Sequence, residues 1–177
     1  MLHVAPAVLI AAAVTATEPA PVRSPLSDED RRAAQSYLTE SVAMTRQLPD
    51  RGKKLGGMLA ALLQGQSKNG NPVRAELKAA LAFFDENIAY FKRKPAPKFP
   101  QMLKFRTVFL DFLGWERQFL VTWIGDSLKI LENPKLGRDE KQRLLIQATN
   151  AHLDEEQNQS LNFDFAVATL SAAVSGL

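Results

Sequence analysis

Apolar residues recur at three- and four-residue steps along most of the chain, which is the spacing of one face of an α-helix. The clearest stripe falls in residues 72–93 and consists of Leu77, Leu81, Phe84, Ile88 and Phe91. Residues 101–132 carry apolar side chains around much of the predicted circumference, as expected for the central helix of a fold. No stretch shows the alternation of a half-buried strand, so the pattern predicts an all-α protein.

Capping residues and prolines set the ends of the predicted helices. Ser27, followed by three acids, predicts the start of the first helix, because a capping hydroxyl and negative charge both stabilise a helix amino terminus. Pro49 is expected to end this helix, and residues 55–63 form a shorter apolar stretch interrupted by glycines. The last helix is predicted to begin at Gly137 and to run to about Ser175.

The predicted fold is an antiparallel up-down helix bundle of four main helices plus one short helix. Short connections between long helices make sequence neighbours pack antiparallel. The short helix, residues 55–63, is expected either to pack across one end or to continue the first helix after a kink. Residues 27–177 are predicted to form this bundle as a single domain.

An uncharged apolar run occupies residues 4–16, ahead of the bundle. It is too short for a transmembrane helix, which needs about 20 residues, and it matches the core of a signal peptide. Residues 1–16 are therefore predicted to be a signal peptide and residues 17–26 a disordered linker. The expected location is periplasmic or secreted. The alternative is a cytoplasmic chain, because no Lys or Arg precedes the apolar run.

The composition is that of an ordinary globular protein, with 46% hydrophobic and 23% charged residues in a chain of 177. The formal net charge is +3, and no element carries the concentrated positive charge that is typical of nucleic-acid-binding proteins. Nucleic acid is therefore not an expected partner. The absence of cysteine excludes disulfides, thiolate metal sites and a cysteine nucleophile.

A basic and aromatic segment surrounds the predicted loop between residues 72–93 and 101–132. Positive charge beside apolar side chains can dock on an anionic membrane surface or on an acidic protein. The alternative is a solvated loop that keeps the protein soluble. The candidate binding residues are Lys92, Arg93, Lys94, Lys98, Phe99, Lys104 and Arg106.

A polar layer near the middle of the bundle is the second candidate site. His152 lies four residues before Glu156, so the two side chains share a helix face. The candidate layer consists of Glu116, Arg117, His152 and Glu156, for which ordinary surface charge is the alternative. The chain lacks the Glu-x-x-His pairs of bundle metal sites, so no metal and no cofactor is predicted.

No catalytic residue is predicted, because the chain has neither a Gly-x-Ser-x-Gly elbow nor a phosphate-binding glycine loop. The sequence thus favours a non-enzymatic exported helical protein that binds another macromolecule or an anionic surface. The alternative is a small-molecule or metal-binding helical bundle, with or without enzyme activity, that uses the polar layer.

Overall fold

The computed structural model describes residues 26–176, and no strand occurs among them. The predicted signal peptide, residues 1–16, and nearly all of the predicted linker, residues 17–26, lie outside the described residues. The prediction of an all-α fold is confirmed. The helices are α1 (Asp28–Thr45), α2 (Leu48–Leu63), α3 (Asn71–Arg93), α4 (Pro100–Leu131), α5 (Arg138–Asn150) and α6 (Leu153–Ser175).

The first helix begins where its capping residue predicts. The Ser27 hydroxyl accepts a hydrogen bond from the backbone N–H of Asp30 at 3.0 Å. Asp28, Glu29 and Asp30 fill the first turn, where their charge is favourable at the positive end of the helix dipole.

The helix α2 is longer than the predicted short helix of residues 55–63. It begins at Leu48, so Pro49 lies in its first turn. Proline ends α1 because it cannot donate a backbone hydrogen bond, but the first turn of a new helix needs no such donor. The same residue therefore ends one helix and opens the next.

Together α1 and α2 form one interrupted rod that runs antiparallel to α3. The Tyr37 ring of α1 lies 5.3 Å from that of Phe91, near the end of α3. The Lys54 ammonium of α2 lies 2.6 Å from the Glu76 carboxylate, near the start of α3. The short helix therefore continues the first helix after a kink and does not pack across one end.

The last predicted helix is also interrupted, and the prediction of a single helix to about Ser175 is wrong. Residues Ala151 and His152 form a turn between α5 and α6. Three acids, at positions 154–156, follow this turn and are stabilised in the first turn of α6. None of the residues of α5 is fully buried, whereas α6 buries Phe163, Ala166, Leu170 and Val174.

The four rods alternate in direction, as predicted. We call them the first rod (α1 and α2), the second (α3), the third (α4) and the fourth (α5 and α6). The third rod runs antiparallel to the second, as shown by the hydrogen bond of 2.7 Å between Arg117 and Asp85 and by the packing of Phe109 on Phe91 at 4.8 Å.

The core is centred on α4, which buries more residues than any other helix of the described chain. The rings of Tyr37, Phe91, Phe105 and Phe109 pack edge to face or in parallel, and Phe163 of α6 closes this cluster. The Tyr37 hydroxyl donates a hydrogen bond of 3.2 Å to the Phe91 carbonyl, so its polar atom is satisfied. Within residues 26–176, no helix combines the length and the apolarity needed to cross a bilayer.

A candidate ligand cleft between the interrupted rods

A cavity of about 530 Å³ opens on the side of the bundle, between the first and the fourth rod. We call it the side cleft. The first rod contributes the residues around its kink: Thr45, Leu48, Pro49, Arg51, Gly52 and Lys53. The floor and the opposite wall are formed by Phe84 of α3, by Phe112, Glu116, Phe119, Leu120 and Trp123 of α4, and by Glu156, Ser160, Phe163 and Asp164 of α6.

The side cleft lies between the kink of the first rod and the amino-terminal half of α6 in the fourth rod. On one side of the cleft α1 packs against α6, where Arg31 donates a hydrogen bond of 3.0 Å to the Val174 carbonyl. On the other side α2 packs against α5. Between these two contacts the first and the fourth rod separate, and the side cleft extends between them to α3 and α4.

Aromatic side chains line much of the cleft floor and stack on one another. The rings of Phe119 and Trp123 are stacked, with centroids 5.7 Å apart and planes 4° apart. Phe112 and Phe163 stack in the same way at 5.0 Å. The indole N–H of Trp123 donates a hydrogen bond of 3.2 Å to the Thr149 hydroxyl, so the one polar group of this side chain has its partner within the fold.

Glu116 is the one carboxylate on this aromatic floor that α4 supplies. It forms neither a hydrogen bond nor a salt bridge with any side chain of residues 26–176. Burial raises the pKa of the Glu116 carboxyl to about 7, and the negative charge of Glu156 on α6 adds to this rise. A carboxyl without a partner is costly to ionise in such a place, because the charged form loses its hydration.

The basic residues on the first-rod wall do not neutralise Glu116. The Arg51 guanidinium lies over the Phe83 ring, 3.8 Å from its centroid, and its Nε has no hydrogen-bond partner among residues 26–176. Lys53 forms no salt bridge within the same residues, whereas its neighbour Lys54 pairs with Glu76. The cleft therefore carries acids on one wall and bases on the other.

The four residues of the predicted polar layer do not form one site. Glu116 and Glu156 both line the side cleft. Arg117 turns to α3, where its guanidinium binds Asp85 and lowers the pKa of that carboxyl. The His152 ring packs edge-on against Phe119 at 5.4 Å, just before α6, and does not line the cleft.

Three of the seven predicted basic-segment residues serve contacts within the fold. The Lys94 ammonium lies 2.8 Å from both carboxylate oxygens of Glu40. Phe99 is buried in the core, and the Arg106 guanidinium donates to the Lys92 carbonyl. These contacts fix the connection between α3 and α4.

The other members of the basic segment face outward. Lys92, Arg93 and Lys98 are exposed and form no salt bridge within residues 26–176. The Lys104 ammonium lies over the ring of Phe165, 5.6 Å from its centroid, and Phe165 is itself 64% exposed. Exposed charge and an exposed aromatic ring thus share this end of the bundle.

Several residues of the side cleft were not foreseen from the sequence. Phe119 and Trp123 belong to the apolar pattern of α4, and nothing in that pattern separates a cleft floor from a core. The available signal is the position of Glu116, which shares one helix face with Phe112, Phe119 and Trp123 at steps of three and four. Within residues 26–176, no group of three or more His, Asp and Glu side chains is placed to hold a metal ion.

Comparison with protein-family models, with curated proteins and with solved structures finds no match to this chain.

Proposed function

We propose that this protein binds a small molecule with an apolar body in the side cleft. The observation that carries the proposal is a cavity of about 530 Å³ lined by aromatic side chains beside a carboxyl that has no partner within residues 26–176. Ligand sites in proteins are commonly clefts of roughly 300–1,000 Å³, lined mainly by apolar and aromatic side chains with a few polar groups. The side cleft has this size and this lining.

The position of the cleft supports the same proposal. Ligand sites in helix bundles are built from side chains on facing helices. Here the side cleft reaches α4 between the first and the fourth rod, while Phe109 at the centre of the aromatic cluster stays fully buried. A ligand could therefore bind without disturbing the core.

Filling the cleft tests this proposal. Ser160 lines the cleft, whereas Asn162 lies two residues further along α6, is exposed and does not line it. We expect Ser160→Trp to abolish binding of an uncharged naphthalene dye, measured by dye fluorescence, and Asn162→Trp to leave it unchanged. Absence of dye binding to the unmodified protein, or equal binding to both variants, would contradict the proposal.

A second candidate function is docking on an anionic membrane surface through the end of the bundle near α3 and α4. Lys92, Arg93 and Lys98 are exposed there, and Lys104 and Phe165 add a cation and an exposed ring. Each cation near an anionic membrane contributes about 1 kcal/mol, and an exposed aromatic ring can enter the headgroup region.

Co-sedimentation with phosphatidylserine-containing vesicles tests the second candidate. Lys92→Ala, Arg93→Ala and Lys98→Ala combined should release the protein from such vesicles. The matched control combines Lys68→Ala, Lys78→Ala and Lys135→Ala, which removes the same charge from exposed positions elsewhere. Equal loss of vesicle binding in both triple variants would show that binding depends only on the net charge of the protein. The second candidate function would then be wrong.

A further inference from the structure

We propose that the ligand of the side cleft is an organic ammonium ion, a molecule with an apolar body and one protonated amine that pairs with Glu116. This inference rests on the proposed function and names the ligand's chemical class. It follows from the side chains that surround Glu116 and from the charges on the two walls of the cleft.

The floor of the cleft places a carboxyl within a row of aromatic side chains. Phe112, Glu116, Phe119 and Trp123 follow one another at steps of four, three and four residues along α4, so they lie on one face of the helix. A carboxylate attracts a cation by its charge, and the aromatic side chains beside it favour an apolar body. An apolar molecule with a protonated amine is therefore the ligand that the two kinds of side chain favour together.

The Glu116 carboxyl is available for such a pair. It has no hydrogen bond or salt bridge within residues 26–176, and it is half-buried in the cleft. A partly desolvated carboxylate gains from a partner of opposite charge, because burial disfavours its unpaired charged form. A bound ammonium group would supply that partner.

The charges around Glu116 favour a cation over an anion at this point. From α6, Glu156 and Asp164 face the cleft and add negative charge. From α2, Arg51 and Lys53 face it, but neither forms a salt bridge with Glu116, and the Arg51 guanidinium is held over Phe83. The linings from α1 and α3 carry no charge, since they consist of Thr45 and Phe84.

An ammonium ligand should bind more tightly as the pH rises. Burial raises the pKa of the Glu116 carboxyl to about 7, so without a bound cation it is largely protonated below neutral pH. An aliphatic amine stays protonated up to about pH 10 and pairs with the ionised carboxylate. Binding should therefore release a proton and gain affinity as Glu116 ionises.

Calorimetric titration with 3-phenylpropylamine, 3-phenylpropan-1-ol and 3-phenylpropanoate tests the inference, because these probes share an apolar body and differ in charge. At about pH 8 we expect the amine to bind about tenfold more tightly than the alcohol, which corresponds to about 1.4 kcal/mol. At about pH 5.5 this preference should largely disappear, because Glu116 is then protonated.

Two variants locate the effect. Glu116→Gln should remove the preference for the amine at high pH while the alcohol and the uncharged dye still bind, which also shows that the variant is folded. Glu86→Gln, an exposed acid of α3 outside the cleft, should keep the full preference.

The outcomes separate the inference from the proposed function. Equal binding of amine and alcohol at high pH, or tighter binding of the carboxylate probe, would overturn the inference and leave the proposed function standing. A preference for the amine that survives Glu116→Gln would also overturn the inference. If the amine, the alcohol and the dye all fail to bind, the proposed function itself is wrong.

Discussion

Glu116 brings together the main physical features of the side cleft. Its carboxyl lies on an otherwise apolar helix face, and burial raises its pKa to about 7, with a further contribution from Glu156. A pKa that is higher in the folded than in the unfolded chain means that folding favours the protonated form. Stability from this residue is therefore fully present below the ordinary pKa of 4.5 and is lost as the pH rises through about 7.

Glu116→Gln should remove this pH dependence, because an amide does not ionise. Relative to the unmodified protein, the variant should gain up to about 3 kcal/mol of unfolding free energy between about pH 4 and about pH 8. Urea unfolding at the two pH values measures the difference, in which the other titrating groups cancel. If the difference in unfolding free energy between the two proteins does not change with pH, Glu116 has an ordinary pKa and this prediction is wrong.

The sequence predicts some helix ends correctly and misses others. Ser27 and the acids after it predict the start of α1 correctly, because capping is decided by neighbouring residues. The turn at Ala151 and His152 was missed, because apolar residues continue at helical spacing on both sides of it. Local signals thus predicted the rods, their direction and, as one of two alternatives, the kink of the first rod, but they did not predict the turn in the fourth rod.

Replacing Ser27 by alanine should destabilise α1. The hydroxyl caps the Asp30 N–H, and loss of such a cap costs about 1 kcal/mol. The matched control is Ser36→Ala, at an exposed position inside the same helix, where alanine is the better helix former. Chemical unfolding monitored by circular dichroism should show a lower midpoint for the first variant only. Equal midpoints in the two variants would exclude a stabilising cap.

The side cleft is a property of the whole molecule. It requires the kink of the first rod, the middle of α4 and the amino-terminal half of α6 to meet, although they are far apart in the sequence. The sequence identified Glu116 and Glu156 as candidates, but it also grouped Arg117 and His152 with them. In the structure only Glu116 and Glu156 line the cleft, because Arg117 is bound to Asp85 and His152 packs on Phe119.

The rods are held together by the aromatic cluster, so removing its centre should destabilise the whole bundle. Phe109 is fully buried, and Phe109→Ala should cost about 3–5 kcal/mol of unfolding free energy. Phe165→Ala removes the same atoms from an exposed position and should change stability by less than about 0.5 kcal/mol. Thermal and urea unfolding measure both. Comparable losses in the two variants would contradict the packing described for α4.

A carbon-13 NMR titration of the Glu116 side-chain carboxyl, with and without 3-phenylpropylamine, tests most directly whether Glu116 is desolvated and binds an amine. We expect a midpoint near pH 7 in the free protein, because burial raises the pKa of Glu116, and a clearly lower midpoint when the amine is bound. A midpoint near the ordinary value of 4.5 in both samples would contradict this expectation, because Glu116 would then be neither desolvated nor in contact with the ligand.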